Sequence, residues 1–306
     1  MTAPPAPVTP ACAADGAALS RAADMARDRH ISAARGRRGT FGVLLLLLAA
    51  ACAPADAPGG GTDSPTIVSL NPCLDAILVE VAAPEQVLAL SHYSRDPGSS
   101  SIPQHIAAGF AITGGTAEEV IALAPDLVLA SSFIAPATRS ALEDAGLRVE
   151  TFGSPTSVSQ SIAQVRQVAA LAGRKQAGEV LVDAIEHAAA PVSNARPITT
   201  LLWQPGEIVA GEATLVAEML RSRNLASHAA AMGLGQADFV ALETVLARPP
   251  ELLLVAGDSA GQRHPLLAQL TQTRVEPLPS RLLFCGGPTV IDLAQRLDDV
   301  RAGLRP

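Results

Sequence analysis

Aromatic side chains are scarce in this chain: among 306 residues there are six Phe, one Tyr and one Trp. A cleft that needs flat apolar rings must take them from this short supply, so each one is worth locating. Charge is sparse too, at 17% of residues, and the formal balance is −7. Nothing resembles a basic stripe, which excludes the electrostatic footprint of a nucleic-acid binder. Two catalytic signatures are missing as well. There is no phosphate loop and no His-Glu-x-x-His, and "GLGQAD" lacks the third glycine of a dinucleotide turn. No apolar run is long enough to cross a bilayer comfortably.

What is present is a composition with 48% hydrophobic residues, rich in small apolar side chains. That suits a compact α/β body and rules out global disorder. The length allows one large domain or two lobes, each with its own core. The N-terminus reads as an export leader over residues 1–52. Arg27, Arg29, Arg35, Arg37 and Arg38 form a basic region, and "FGVLLLLLAAACA" follows from Phe41 to Ala53. A cysteine placed directly after small residues is the shape of a bacterial lipoprotein signal, cut before Cys52, whose thiol is then acylated. Translation can start at Met1 or at Met25. Loss of the leader leaves a more acidic body, at about −10. Residues 53–65, "APADAPGGGTDSP", read as a flexible tether.

A phrase occurs twice. "EEVIALAPDLVLA" runs from Glu118 to Ala130 and "ETVLARPPELLLV" from Glu243 to Val255, an offset of 125 residues. Each copy spells a helix, a proline stop and a continuous apolar run, as expected of a strand buried on both faces. Thr116, just ahead of the first copy, and Glu119 within it make a capping-box pattern. Strand candidates "TIVSL", "QVLALS", "DLVLAS" and "RVETF" alternate with helical stretches in the first half, over residues 66–156. "TTLLW", "ELLLVA" and "VEPLP" do so in the second, over residues 197–306. This βαβ rhythm predicts parallel sheets. Helical spacing fills residues 157–196 between them, so two similar α/β lobes are joined by a helical passage and a cleft lies between them.

The chain resembles the iron-chelate and cobalamin class of substrate-binding proteins of ABC importers, the class III periplasmic-binding family. The residues that carry the resemblance are "IVSLNPCLDAIL", "GGTAEEVIALAPDLVLA", "LLWQPGEIVAGEATLVAEMLRSRNLA" and "FVALETVLARPPELLLV", in that order over nearly the whole mature chain. It implies two Rossmann-like lobes with parallel sheets, joined by a long helix with limited hinge motion. It also implies a metal chelate held between the lobes (a ferric siderophore, haem or a corrinoid), delivery to an ABC permease dimer, and no catalysis and no cofactor. A monomer tethered to the membrane through its lipid, without nucleic-acid partners, fits that role. The family's cobalamin binders place tryptophans just before the two phrase helices. Here those stretches read "AITGGT" and "QADFVA", with Phe239 the one aromatic.

Ligand contacts are expected from loops at the carboxyl ends of strands. Asn71 and Cys73 follow the first strand; His92, Tyr93 and Arg95 follow the second. Trp203 closes the first strand of the other half, and Arg281 and Phe284 precede the last helix. Tyr93 and Trp203 offer flat faces for stacking. The arginines suit carboxylate or phosphate groups on a chelate, or simply solvent. His92 is either a direct metal ligand or a hydrogen-bonding wall residue. Cys73 and Cys285 are either bridged or two separate thiols. Glu118 and Glu243 open the two phrase helices, where the macrodipole favours an acid. The resemblance implies a second role for them, meeting arginines on a two-fold transporter. Two alternatives stand beside this reading. One is a free zinc or manganese receptor of similar build, which needs converging His and carboxylate ligands. The other is an α/β enzyme with an unrecognised site.

Overall fold

The computed structural model describes residues 64–192, 196–235 and 237–304. The leader, Met25, Cys52 and the tether as far as residue 63 lie outside the described residues. The first half opens with β1 (Ile67–Ser69), α1 (Pro72–Val81) and β2 (Val87–Ser91), followed by a 3-10 turn over His92–Arg95. A single turn of helix, α2 (Gln104–Ala107), leads to β3 (Ile112–Thr113), α3 (Ala117–Leu123), β4 (Leu127–Ser131), α4 (Pro136–Asp144) and β5 (Val149–Phe152). The strands lie in the order β3-β2-β1-β4-β5, and every pairing is parallel. β1 is central, with Ile67 opposite Val87 on one side and Leu127 on the other. Ile67, Val68 and all of Leu127 to Ala130 are buried, as a parallel sheet covered on both faces demands.

The helical passage is a hairpin of two helices, α5 (Val158–Leu171) and α6 (Lys175–Ala189). Ser157 caps the first, its Oγ accepting from Gln160 N at 3.2 Å. Gly173 turns the chain with φ 70°. The two helices approach so closely that a β-carbon on Gly178 would collide with the Ala169 methyl, and Arg166 bridges to Glu179 at 3.0 Å across the pair. α1 packs on both helices, so the passage is an integral wall of the core.

The second half contains β6 (Ile198–Trp203), β7 (Ile208–Val209), α7 (Leu215–Ser222), β8 (Leu225–Ser227), α8 (His228–Ala231) and β9 (Asp238–Phe239). It continues with α9 (Leu242–Ala247), β10 (Leu252–Val255), β11 (Arg274–Pro277) and α10 (Thr289–Ala302). Its sheet runs β11-β10-β6-β7-β9, with β8 also beside β6. The β6, β8, β10 and β11 framework is parallel, while β7 is antiparallel to both β6 and β9. That antiparallel margin was not expected, because two-residue strands carry no readable period. α10 packs against α6 and α7, and one apolar cluster runs from Ile67 through Val165 and Ile185 to Leu254.

The doubled phrase has a structural use at its acidic strand entrance. In the first half Asp126 Oδ2 accepts from Thr66 N at 2.8 Å and Thr66 Oγ1 at 2.7 Å, and Asp126 N donates back to that hydroxyl at 3.1 Å. In the second half Glu251 Oε1 accepts from Thr199 N at 3.1 Å and Thr199 Oγ1 at 3.3 Å, and Glu251 N donates back at 3.0 Å. Each copy therefore latches its own buried strand to the entrance of the first strand of its half. The Thr66 amide and hydroxyl hold the Asp126 carboxyl below its usual range. The Thr199 amide, then Arg196, do the same for Glu251.

A second connection between the halves lies just before α10. Ser101 Oγ donates to Arg281 O at 3.1 Å, and Gly287 N donates to Ser161 Oγ at 2.7 Å. Between these contacts Cys73 and Cys285 form a disulfide, with Cα atoms 5.0 Å apart. Of the two states left open by the sequence, the structure has the bridged one. Gly287 sits at φ 63°, and a β-carbon there would lie 2.7 Å from Ile77 Cγ1, so only glycine lets this segment press onto α1.

Candidate functional site

The carboxyl ends of β1, β2, β3 and β4 open into a hollow of about 410 Å³ in the first half. Its lining includes Asn71, Ser91, His92, Tyr93, Thr113, Ser131 and Phe133. A second hollow of about 270 Å³ is lined by Gln204, Val209, Thr214 and Leu215 from the second half, with Phe284 and Cys285. Ser154 and Pro155 also line it, from the loop that leaves β5. A narrow crevice adjoins both. It shares Asn71 with the first hollow and Ser154 and Pro155 with the second, and Cys73 lies in its wall. Through these shared walls the three adjoin as a candidate groove, the first hollow within the first half and the second lined from both halves, beside the disulfide.

The turn after β2 supplies two neighbouring rings. The His92 and Tyr93 ring centroids are 4.0 Å apart and tilted by 36°, and Tyr93 is 48% exposed. Phe133, just past the end of β4, is 82% exposed, and Phe284 is 56% exposed. Exposed rings of this kind line both parts of the groove in a chain that has few rings to spend. Isolated surface apolar residues are ordinary, but rings gathered at a concave site are not. Sequence reasoning missed Phe133. Its position at a strand end immediately after the first copy of the phrase was the signal that could have found it.

Other expected residues have different employment. Asn71 lines the groove, yet its Oδ1 caps α1, accepting from Cys73 N at 2.8 Å and Leu74 N at 3.3 Å. Cys73 contributes its half of the disulfide. Arg95 donates to Phe110 O at 3.0 Å, and Arg281 pairs with Asp292 at 3.4 Å. Neither arginine is among the residues lining the two hollows. Trp203 is a correction. It is completely buried, and its Nε1 donates to Val240 O at 2.9 Å. It belongs to the core beneath β6, and no ligand can stack on it while it stays there. Its carbonyl helps order the loop above: Gln262 Nε2 donates to Trp203 O and to Ala256 O, each at 2.9 Å.

Beneath the His92–Tyr93 turn lies a group the sequence did not single out. Asp75 of α1 is fully buried, and its Oδ2 accepts from Ser91 N at 2.9 Å and from Ser94 Oγ at 2.7 Å. Burial pushes its carboxyl up to about 7, while the neighbouring Ser69, Ser94 and Ser91 pull the other way.

Glu118 and Glu243 both stand exposed in the first turns of α3 and α9. Thr116 Oγ1 accepts from Glu119 N at 3.3 Å. The Glu119 carboxylate, however, takes Gly114 N at 2.6 Å and Thr113 Oγ1 at 2.9 Å, so only half of the expected capping box forms. Ala241 gives α9 no side-chain cap.

No group of three or more His, Cys, Asp or Glu that could hold a metal ion occurs among the described residues. A free zinc or manganese receptor would need such a group. No helix among the described residues is long and apolar enough to cross a membrane.

The architecture has known counterparts. The chain is similar to the periplasmic heme-binding protein RhuT from Roseiflexus sp. RS-1, with TM-score 0.59 and 23% identity over 77% of this chain and 98% of that one. It is similar to a possible iron-binding, periplasmic solute-binding protein from Staphylococcus epidermidis, with TM-score 0.62 and 18% identity over 79% and 98%. It is also similar to the periplasmic vitamin B12 binding protein BtuF of Vibrio cholerae, with TM-score 0.57 and 18% identity over 79% and 99%. At these identities the likeness speaks for the fold. No curated protein matches the chain. The periplasmic binding protein family matches residues 67–275, a span from the first residue of β1 into β11 that takes in both latched halves and the hairpin between them. With that span matched, the chain belongs to the periplasmic binding protein family.

Proposed function

We propose that this chain is an exported, lipid-anchored solute-binding protein that captures a metal chelate and hands it to an ABC importer, without chemically converting it. The observation that carries the reading is the set of exposed rings lining two adjoining hollows: Tyr93 with His92 and Phe133 in the first, and Phe284 in the second. A flat macrocycle or an aromatic chelate buries apolar faces against such rings, and each well-placed aromatic contact adds roughly 0.5–1.5 kcal/mol beyond its area. Relatives of this fold described as binding heme, iron and vitamin B12 support a ligand of the same class: haem, a ferric siderophore or a corrinoid.

The rest of the cycle follows from the ends of the molecule. Cys52 carries the lipid and holds the protein, as a monomer, at a membrane surface. Glu118 and Glu243 put one exposed acid on each half, related by the internal repeat, which suits a two-fold partner bearing basic residues. Such rim charges act mainly on encounter and orientation, and they weaken with salt. The ligand site is tested by titrating haemin into the purified mature protein and into Tyr93→Ala, Phe133→Ala and Phe284→Ala. Each variant is expected to weaken binding by about two- to tenfold. Unchanged affinity in all three removes the groove from the account.

A further inference from the structure

Behind the rings lies a buried acid that helix α1 does not need. The N-terminus of α1 is already capped by Asn71, and an aliphatic residue at position 75 would serve the surrounding core better. A buried polar group costs free energy unless its bonding is complete. Here it is not complete: Asp75 Oδ1 and the Ser91 hydroxyl are both buried without a hydrogen-bond partner. The bonds that Oδ2 does make fall on either side of the exposed rings. Ser91 stands immediately before His92, and Ser94 immediately after Tyr93.

We infer that Asp75 is a positioning residue of the ligand groove, gathering both ends of the His92–Tyr93 turn and so fixing how the two rings face a bound chelate. The inference rests on the function proposed above. On its other side the turn is tied by weaker or more exposed contacts, Gln104 Nε2 to Ser94 O at 3.4 Å and Arg95 to Phe110 O at 3.0 Å. The groups that act on Asp75 are uncharged: Ser69 from β1, Ser91 from β2 and Ser94 from the turn. The charged members of that turn, His92 and Arg95, are exposed. An acid in this setting, raised by burial to about 7, spends much of its time protonated near neutrality. It then accepts on one oxygen and has a proton to give from the other. Asparagine reproduces that pattern; valine does not.

One tyrosine in the chain makes the test direct. Ring-labelled tyrosine gives a single set of NMR signals, all from Tyr93, and amide hydrogen exchange reports on Ser91. Both are measured on ligand-free protein, and haemin titration follows by absorbance. Asp75→Val and Ser94→Ala are expected to shift the Tyr93 signals, speed exchange at Ser91 and weaken haemin binding about tenfold or more, as when a buried donor loses its acceptor. Asp75→Asn is expected to restore all three. Tyr93 signals and Ser91 exchange that stay as in the wild type, in Ser94→Ala and in folded Asp75→Val, overturn the assignment. If Asp75→Val does not fold, Ser94→Ala decides by the same two signals, since it leaves α1 intact. If haemin fails to bind the wild type, the haem form of the proposed function fails, while the Tyr93 signals still judge Asp75.

Discussion

Trp203 and Tyr93 both end strands in the sequence, yet one is core and the other lines the groove. Trp203 is the last residue of β6, a strand whose final four residues are all buried. In a sheet covered on both faces, the last strand residue is interior whichever way it points. Tyr93 lies two residues beyond the end of β2, inside a 3-10 turn, where the backbone has left the sheet. Trp203→Phe should therefore lower stability by about 1–3 kcal/mol, because the Val240 carbonyl loses its buried donor. Chemical denaturation reads that loss, and chelate affinity should not move. Asp75 makes a prediction of opposite character. Its carboxyl is raised to about 7 in the folded protein, so between about pH 4 and pH 7 the folded state holds a proton that the unfolded state has released. This residue's contribution to stability is thus greatest on the acid side, falls as pH rises through that window, and is flat above it. The difference in unfolding free energy between wild type and Asp75→Asn should change by up to about 4 kcal/mol across the window. A difference that does not vary with pH would mean that the carboxyl titrates normally.

At the scale of elements, the repeated phrase was legible because it combined three independent signals: a helical period, a proline stop and an apolar run. The parallel pairing of the main strands followed from the βαβ alternation. The antiparallel margin, β7 with β9, was not legible, since its strands have two residues each. Nor was the function of Asp126 and Glu251. Their partners Thr66 and Thr199 are 60 and 52 residues away in sequence, and a latch across that distance leaves no local pattern. Of the expected contact residues, His92, Tyr93 and Phe284 line the hollows, while capping absorbed Asn71, local bonds absorbed Arg95 and Arg281, and Phe133 went unnoticed. Thr199→Val tests the latch. It removes both hydroxyl bonds to Glu251 and should cost about 0.5–1.5 kcal/mol, at the modest end because the pair is exposed. Stability equal to wild type in thermal unfolding would show the latch to be incidental.

At the scale of the molecule, the halves are tied twice, by the α5–α6 hairpin and by the segment carrying Cys285. The disulfide spans 212 residues of chain, and cross-links over long loops restrict the unfolded state most. Replacing both cysteines, Cys73→Ser with Cys285→Ser, should cost about 2–5 kcal/mol and leave the fold intact under mild conditions. An unfolding midpoint equal to wild type would show that the noncovalent contacts of Ser101, Ser161 and Gly287 suffice alone. Two ties leave little room for large hinge opening, so the groove should be largely formed before its ligand arrives. The most direct measurement of the account is equilibrium dialysis of the purified mature protein, in separate cells, against haemin, a ferric siderophore, a corrinoid and zinc ion. The account predicts saturable binding of at least one chelate, competed by its own class, and no comparable binding of zinc. Saturable binding of zinc alone, with no chelate retained, would contradict it.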